Sequence, residues 1–161
     1  MSPKYTREEI PEILRNHGVT PTHQRIEIAC ALFSRMEHLS ADRILAIVNE
    51  RAAETSKATV YNTLKLFVAK GLAREVIVDP SKVFYDPNPE PHHHRYHVDT
   101  GQLTDIPADS ISISGLPPLP PGMMTDGVDV IVRVRSVRAG GGLTAPAPAT
   151  IARSKNPRPP L

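Results

Sequence analysis

Ser56-Lys-Ala-Thr-Val-Tyr-Asn-Thr-Leu-Lys-Leu-Phe-Val-Ala-Lys-Gly71, followed by Leu-Ala-Arg-Glu-Val-Ile-Val78, is the stretch that decides the fold. Ser56 is a good helix N-cap, and Gly71 can take the left-handed conformation that closes a helix. Between them Val60, Leu64, Phe67 and Val68 recur at helical spacing, while Lys57, Tyr61, Asn62 and Lys65 fall on the opposite side as donors and acceptors with one aromatic. Leu72 to Val78 and Lys82 to Tyr85 then read as two strands around the turn Asp79-Pro80-Ser81.

Working outward, three shorter helices precede this one. Thr6 and Glu9 form a capping-box pattern before Ile10, Ile13 and Leu14, and Gly18 ends that helix. Thr20-Pro21 or Thr22 opens a second helix with Ile26, Ala29, Cys30 and Phe33 inward, and Ser40 caps a third with Ile44, Ile47 and Val48 inward. Short helices closed by a two-stranded hairpin are the order of a winged helix-turn-helix, whose last helix enters the DNA major groove. A plain helical domain with a solvated polar face is the competing reading of the same pattern.

The character of the chain changes near Asp86. Most of the 17 prolines and four of the seven histidines follow it. Asp86-Pro-Asn-Pro-Glu-Pro91 reads as a stiff connector, leading to His92-His-His-Arg-Tyr-His97 and short β-branched runs at Leu103–Ile106, Ile111–Ile113 and Val128–Val134. In the last of these Val128, Val130, Val132 and Val134 alternate with Asp129, Ile131, Arg133 and Arg135, which fits a strand with one buried face and offers an apolar face that so small a domain cannot easily bury alone. The expected class is α+β: a winged-helix domain over residues 1–85, a connector over 86–91, a small α/β or β-rich domain over 92–138, and a disordered Gly/Pro/Ala tail over 139–161.

The formal net charge of +2 does not announce a nucleic-acid binder, so DNA affinity must come from a local patch and from dimerisation. A single cysteine, Cys30, excludes an intramolecular disulfide or a thiolate-rich zinc site and fits an ordinary core position. No stretch is long and apolar enough to span a membrane, and the charged first ten residues are unlike a signal peptide, so a cytoplasmic protein is expected. No Ser/His/Asp, Cys/His or phosphate-loop arrangement points to an enzyme.

His92 and His94 stand two apart, on one side of a strand if they lie on one. With Asp86 before them and Asp105 on the expected neighbouring strand, they suit Fe(II), Mn(II) or Zn(II) rather than a metal that seeks soft thiolates. A solvated histidine patch is the alternative.

Gly18-Val19 with Thr22 and Arg25, His38-Leu-Ser-Ala41, Ala58-Thr-Val-Tyr-Asn-Thr-Leu64, Gly71-Leu72, Val83-Phe-Tyr-Asp86 and Pro91-His-His-His94 together resemble the ferric uptake regulator family over residues 5–106. Tyr61-Asn62 is similar to its iron response and peroxide regulator branches. The resemblance implies a metal-responsive DNA-binding transcription regulator, a repressor by preference, that binds operator double-stranded DNA as a homodimer. It places the sensing metal on His38, Asp86, His92, His94 and Asp105, with Fe(II) or Mn(II) ahead of Zn(II). Arg25, Lys57, Tyr61, Asn62 and Lys65 are the expected DNA contacts. Where much of the family has a Cys-x-x-Cys-Gly element this chain has His97-Val-Asp-Thr-Gly101, so the structural four-cysteine zinc is not expected. The iron response regulators lack those cysteines too and answer to haem, which leaves a haem-responsive reading. A metal- or haem-binding module that no longer reads DNA is the reading from a different class.

Overall fold

The computed structural model describes residues 4–51 and 55–137. Four helices come first: α1 (Ile10–Asn16), α2 (His23–Phe33), α3 (Ala41–Arg51) and α4 (Lys57–Ala69). The caps form as their chemistry dictates. Thr22, Ser40 and Ser56 each accept a hydrogen bond from the backbone N–H three residues on, satisfying donors that the first helical turn leaves free. Thr6 and Glu9 do bond to one another, but they enclose a turn, and α1 starts at Ile10. Gly18 and Gly71 take φ of 70° and 72° at the two helix exits. The helices enclose one apolar cluster that includes Ile10, Leu14, Ile28, Phe33, Ile44, Val48, Val60, Leu64 and Phe67.

An antiparallel hairpin follows, β1 (Arg74–Asp79) and β2 (Lys82–Asp86). Because side chains alternate along a strand, it offers two faces. Val83 and Tyr85 turn to the helices. Val76, Val78 and Phe84 turn the other way, onto a second sheet.

That sheet has the order β4-β3-β5, with β3 (His92–His97) antiparallel to β4 (Leu103–Pro107) and parallel to β5 (Ile131–Val134). Tyr96, Leu103 and Ile131 meet Val76 and Val78 in a small second cluster. Two arginines reinforce the seam: Arg133 donates to the Val78 carbonyl, and Arg74 pairs with Asp129.

Three expectations need correction. Ile111–Ile113 is not a strand, and β5 begins at Ile131 rather than Val128. On β5 it is Ile131 that packs into the cluster, while Val132 is 38% exposed. The reason is register, since Ile131 pairs with His94, on the face of β3 turned to the hairpin, and Val132 pairs with Arg95 on the other. Lastly, β2 runs through Asp86, which puts that residue on the hairpin and leaves residues 87–91 as the connector.

The connector is pinned along its length. Asp86 Oδ1 accepts from the Asn88 N–H at 2.8 Å and Asn88 Oδ1 from the Glu90 N–H at 3.1 Å. Lys4 Nζ donates to the Pro87 carbonyl at 2.6 Å, and Arg74 to the Glu90 carbonyl at 3.2 Å. Cys30 is buried in the helical cluster, as expected, and burial pushes its thiol pKa up. Among the described residues no helix is long and apolar enough to cross a membrane. The tail expected over 139–161 lies outside the described residues.

Candidate metal centre and DNA-facing helix

His38 lies in the segment between α2 and α3, one residue before Leu39, and Asp86 ends β2, one residue after Tyr85. Leu39 and Tyr85 form an isolated antiparallel bridge, with N–H to carbonyl distances of 3.2 and 2.8 Å in its two directions. The backbone therefore fixes His38 and Asp86 against each other inside the helical half. His92, His94 and Asp105 come from the second sheet. His92 and His94 are two apart on β3 and share a face, and register places Asp105 directly opposite His94.

These five residues meet. Each offers one ligand atom, and all five atoms lie within 4.8 Å of one another. His38 Nε2 is 2.9 Å from Asp105 Oδ1 and 3.4 Å from Asp86 Oδ2, while His92 Nε2 is 2.8 Å from Asp86 Oδ2 and 3.4 Å from Asp105 Oδ1. His94 Nε2 is 3.3 Å from Asp86 Oδ2. His38 Nε2 and His92 Nε2 are nevertheless buried without a hydrogen bond of acceptable angle. Distance without direction is what results when lone pairs converge on a common point instead of on each other's protons. A buried polar atom without a partner is costly, and a cation at that point would satisfy both nitrogens and both carboxylates.

The Glu90 carbonyl lies 2.6 Å from His92 Nδ1; a carbonyl cannot donate, so Nδ1 carries a proton, and Nε2 is the nitrogen turned to the other donor atoms. For Asp86, burial pushes the carboxyl pKa up. The nearby His38 and His94 imidazoles and the Asn88 N–H outweigh it and hold the group well below the usual carboxylate range. The donor set of nitrogen and oxygen, without sulfur, suits a borderline or hard ion.

The expected DNA contacts lie elsewhere, on one side of the helical half. Lys57, Tyr61, Asn62 and Lys65 are exposed along α4, opposite the buried Val60, Thr63, Leu64 and Phe67. Lys57 Nζ pairs with Asp42 at 3.0 Å and stands 5.5 Å from the centroid of the Tyr61 ring. Arg25 donates to the Thr20 carbonyl at 3.1 Å, and together with Thr22, Thr59 and Asn62 it lines a groove between the start of α2 and α4.

Sequence reasoning missed the seam between the hairpin and the second sheet. Its signal was the alternation of Val76 and Val78 with Glu75 and Ile77, which marks an apolar face but not what covers it. It also missed Glu27, a carboxylate buried in α2 that is held by Arg7 and kept below the usual carboxylate range by that hydrogen bond.

Comparison with known proteins accords with this architecture. The ferric uptake regulator family profile matches residues 16–114, well over half of the chain. The peroxide-responsive repressor of Staphylococcus epidermidis is 33% identical over 99 residues, covering 62% of this chain and 66% of that protein. The peroxide operon regulator of Bacillus subtilis is 32% identical over 99 residues, covering 62% of this chain and 68% of its own length. The chain thus spans about two thirds of these relatives. Among solved structures, the manganese-bound ferric uptake regulator of Pseudomonas aeruginosa superposes with a TM-score of 0.59 at 22% identity, covering 79% of this chain and 97% of that one. The Vibrio cholerae ferric uptake regulator gives 0.61 at 16% identity, covering 78% and 98%. At such identities these likenesses speak for the fold. With the profile match, they establish that the chain belongs to the ferric uptake regulator family of metal-responsive transcription regulators.

Proposed function

We propose that this chain is a repressor that binds operator DNA as a homodimer in the cytoplasm when one divalent ion, Fe(II) or Mn(II), fills the site formed by His38, Asp86, His92, His94 and Asp105. The observation that carries the reading is the convergence of five donor atoms from both halves of the molecule within 4.8 Å. Donor atoms this close together leave no room for a porphyrin, and two carboxylates among them would repel an anionic one, so a bare metal is favoured there over haem. Zn(II) is compatible with the same donors.

In this reading residues 1–85, with Asp86 added, form the DNA-reading unit, and 92–138 the sensing and dimerising unit. Lys57, Lys65 and Arg25 meet phosphates, and Tyr61 and Asn62 reach base edges or thymine methyls. His38 and Asp86 sit on the first unit and His92, His94 and Asp105 on the second, so the ion ties them at one angle. It thereby selects the dimer whose two α4 helices are spaced for successive major grooves. No step of the reading requires catalysis.

The test is operator affinity on an AT-rich palindromic duplex, kept anaerobic, with Fe(II), with Mn(II) and after chelation. Wild type should bind more tightly when metallated, and His92→Ala should lose both metal and response. His38→Ala should keep measurable metal binding but respond less than wild type, because Asp86 alone then ties the first unit. A His38→Ala, Asp86→Ala double variant that still responds like wild type would sink the proposal.

A further inference from the structure

His38 and Asp86 are the two ligand residues that the helical half contributes, and the chain is tied on both sides of the pair. The inner tie is the Leu39–Tyr85 bridge, just after His38 and just before Asp86. The outer tie is Lys4. Its backbone N–H donates at 3.0 Å to the carbonyl of Phe33, the last residue of α2, and its Nζ donates at 2.6 Å to the carbonyl of Pro87, the residue after Asp86. One residue thus joins the stretch that leads into His38 to the stretch that leaves Asp86.

Each contact answers a local need. A helix leaves its last carbonyls without an intrahelical donor, and Phe33 ends α2. Pro87 is buried, so its carbonyl also requires a partner. The Lys4 side chain is placed in turn by two aromatic rings. Nζ stands 5.3 Å from the ring centroid of Tyr5 and 5.8 Å from that of Phe33, and the two rings meet edge to face at 5.2 Å.

We propose that Lys4 is a positioning residue of the His/Asp centre: by spanning Phe33 and Pro87 it holds His38 and Asp86 in the arrangement that a divalent ion takes up. This rests on the centre assigned above and adds a residue that gives the metal no ligand atom. The ammonium acts on that centre in two opposed ways. As a cation it repels an incoming dication, and as a clamp it keeps the two side chains in place before the ion arrives. Asp86 Oδ2 lies within 3.4 Å of three imidazoles and Oδ1 accepts from the Asn88 N–H, whereas Lys4 Nζ goes to a carbonyl. The charge is therefore felt only beyond the groups in direct contact with the carboxylate, where Coulomb energy has fallen off, and the clamp prevails.

The test is the Mn(II) dissociation constant of the full chain by calorimetric titration, for wild type, Lys4→Met, Lys4→Arg, Asp86→Ala and the Lys4→Met, Asp86→Ala double variant, with hydrogen exchange of the metal-free proteins. Methionine keeps an apolar stem on the Tyr5 and Phe33 rings and removes the ammonium. Lys4→Met should raise the dissociation constant about tenfold, the scale seen when a group that orients a ligand is lost. Lys4→Arg restores a cation with N–H donors and should recover most of that loss. In the Asp86→Ala background Lys4→Met should lose most of its effect, because one of the two side chains it places is gone. The Asn88 amide, which Asp86 Oδ1 holds, should exchange faster in metal-free Lys4→Met while the amides of α4 stay protected. Unaltered or tighter Mn(II) binding by Lys4→Met, or an equal loss with and without Asp86, would overturn the proposal and leave the centre standing. A wild type that takes up no Mn(II) would instead bring down the centre, and the role of Lys4 with it.

Discussion

The helices enclose an apolar cluster whose members run from Ile10 to Tyr85, whereas the second sheet buries Tyr96 and Leu103 only against Val76 and Val78 lent by the hairpin. One half has a core of its own; the other is held by what it touches. That inequality teaches where regulation can act. The helical half carries α4 and should keep its shape whatever the metal does, while the position of the sheet depends on three attachments: the hairpin seam, the His/Asp centre and, by our proposal, a second copy.

The strongest way to break this contrast is to cut the chain. Residues 1–86 should fold alone, with near-native helix signal and a cooperative thermal transition, and residues 87–161 alone should show neither. Circular dichroism and proton NMR of the two fragments decide it, and an independently folded second fragment would refute the contrast.

Point changes sharpen it. Phe67 is fully buried in the helical cluster, and Phe67→Ala should cost about 3–5 kcal/mol of global stability in urea unfolding. Tyr96→Ala removes an aromatic from the seam and should act chiefly on docking. Its mark would be faster hydrogen exchange across β3 and β5 with the helices still protected. Equal loss of protection in both halves would show that they unfold as one unit.

Function should divide along the same line. Tyr61→Ala should weaken specific operator binding by about 1–3 kcal/mol and leave metal affinity untouched, while Lys65→Ala should lower the salt slope by about one. A metal affinity that changed with Tyr61 would mean that α4 is not independent of the sheet.

The smallest effect concerns Arg7 and Glu27, both in the helical half. Glu27 is buried and its folded pKa is depressed by Arg7, so the pair contributes stability above the unfolded carboxylate pKa, about 4.3, and loses it as pH falls through the folded value. Arg7→Ala should destabilise by about 1 kcal/mol at neutral pH, a figure kept low because the guanidinium is half exposed, and by less in acid. Thermal melts of both proteins at pH 7 and pH 3.5 check the sign.

What could be read in advance follows the range of each interaction. Caps and helix exits at Ser40, Ser56, Gly18 and Gly71 are decided within a few residues and were legible. So were the hairpin and the pairing of His92 with His94, which follow from period-two alternation. His38 was found through the family resemblance, since nothing beside it marks it as facing Asp86 across the Leu39–Tyr85 bridge. Which side of β5 packs inward was not legible, because valines and isoleucine are equally apolar, and register with β3, set by contacts far apart in sequence, chooses between them. Ile111–Ile113 has the composition of a strand but pairs with no strand among the described residues.

The pinned connector has a consequence for how fast and how tightly the two sets of ligands can meet. Residues 87–91 contain three prolines and are held by Lys4, Arg74 and the side chains of Asp86 and Asn88. A short tether of fixed shape gives His92 and His94 a high local concentration at His38 and Asp86, so closing around the proposed ion would be an intramolecular event with little search. The affinity of the centre is then written partly in the tether. Replacing Pro87, Pro89 and Pro91 by glycine would dilute one half-site with respect to the other, and a protein with every ligand intact would need more metal to answer.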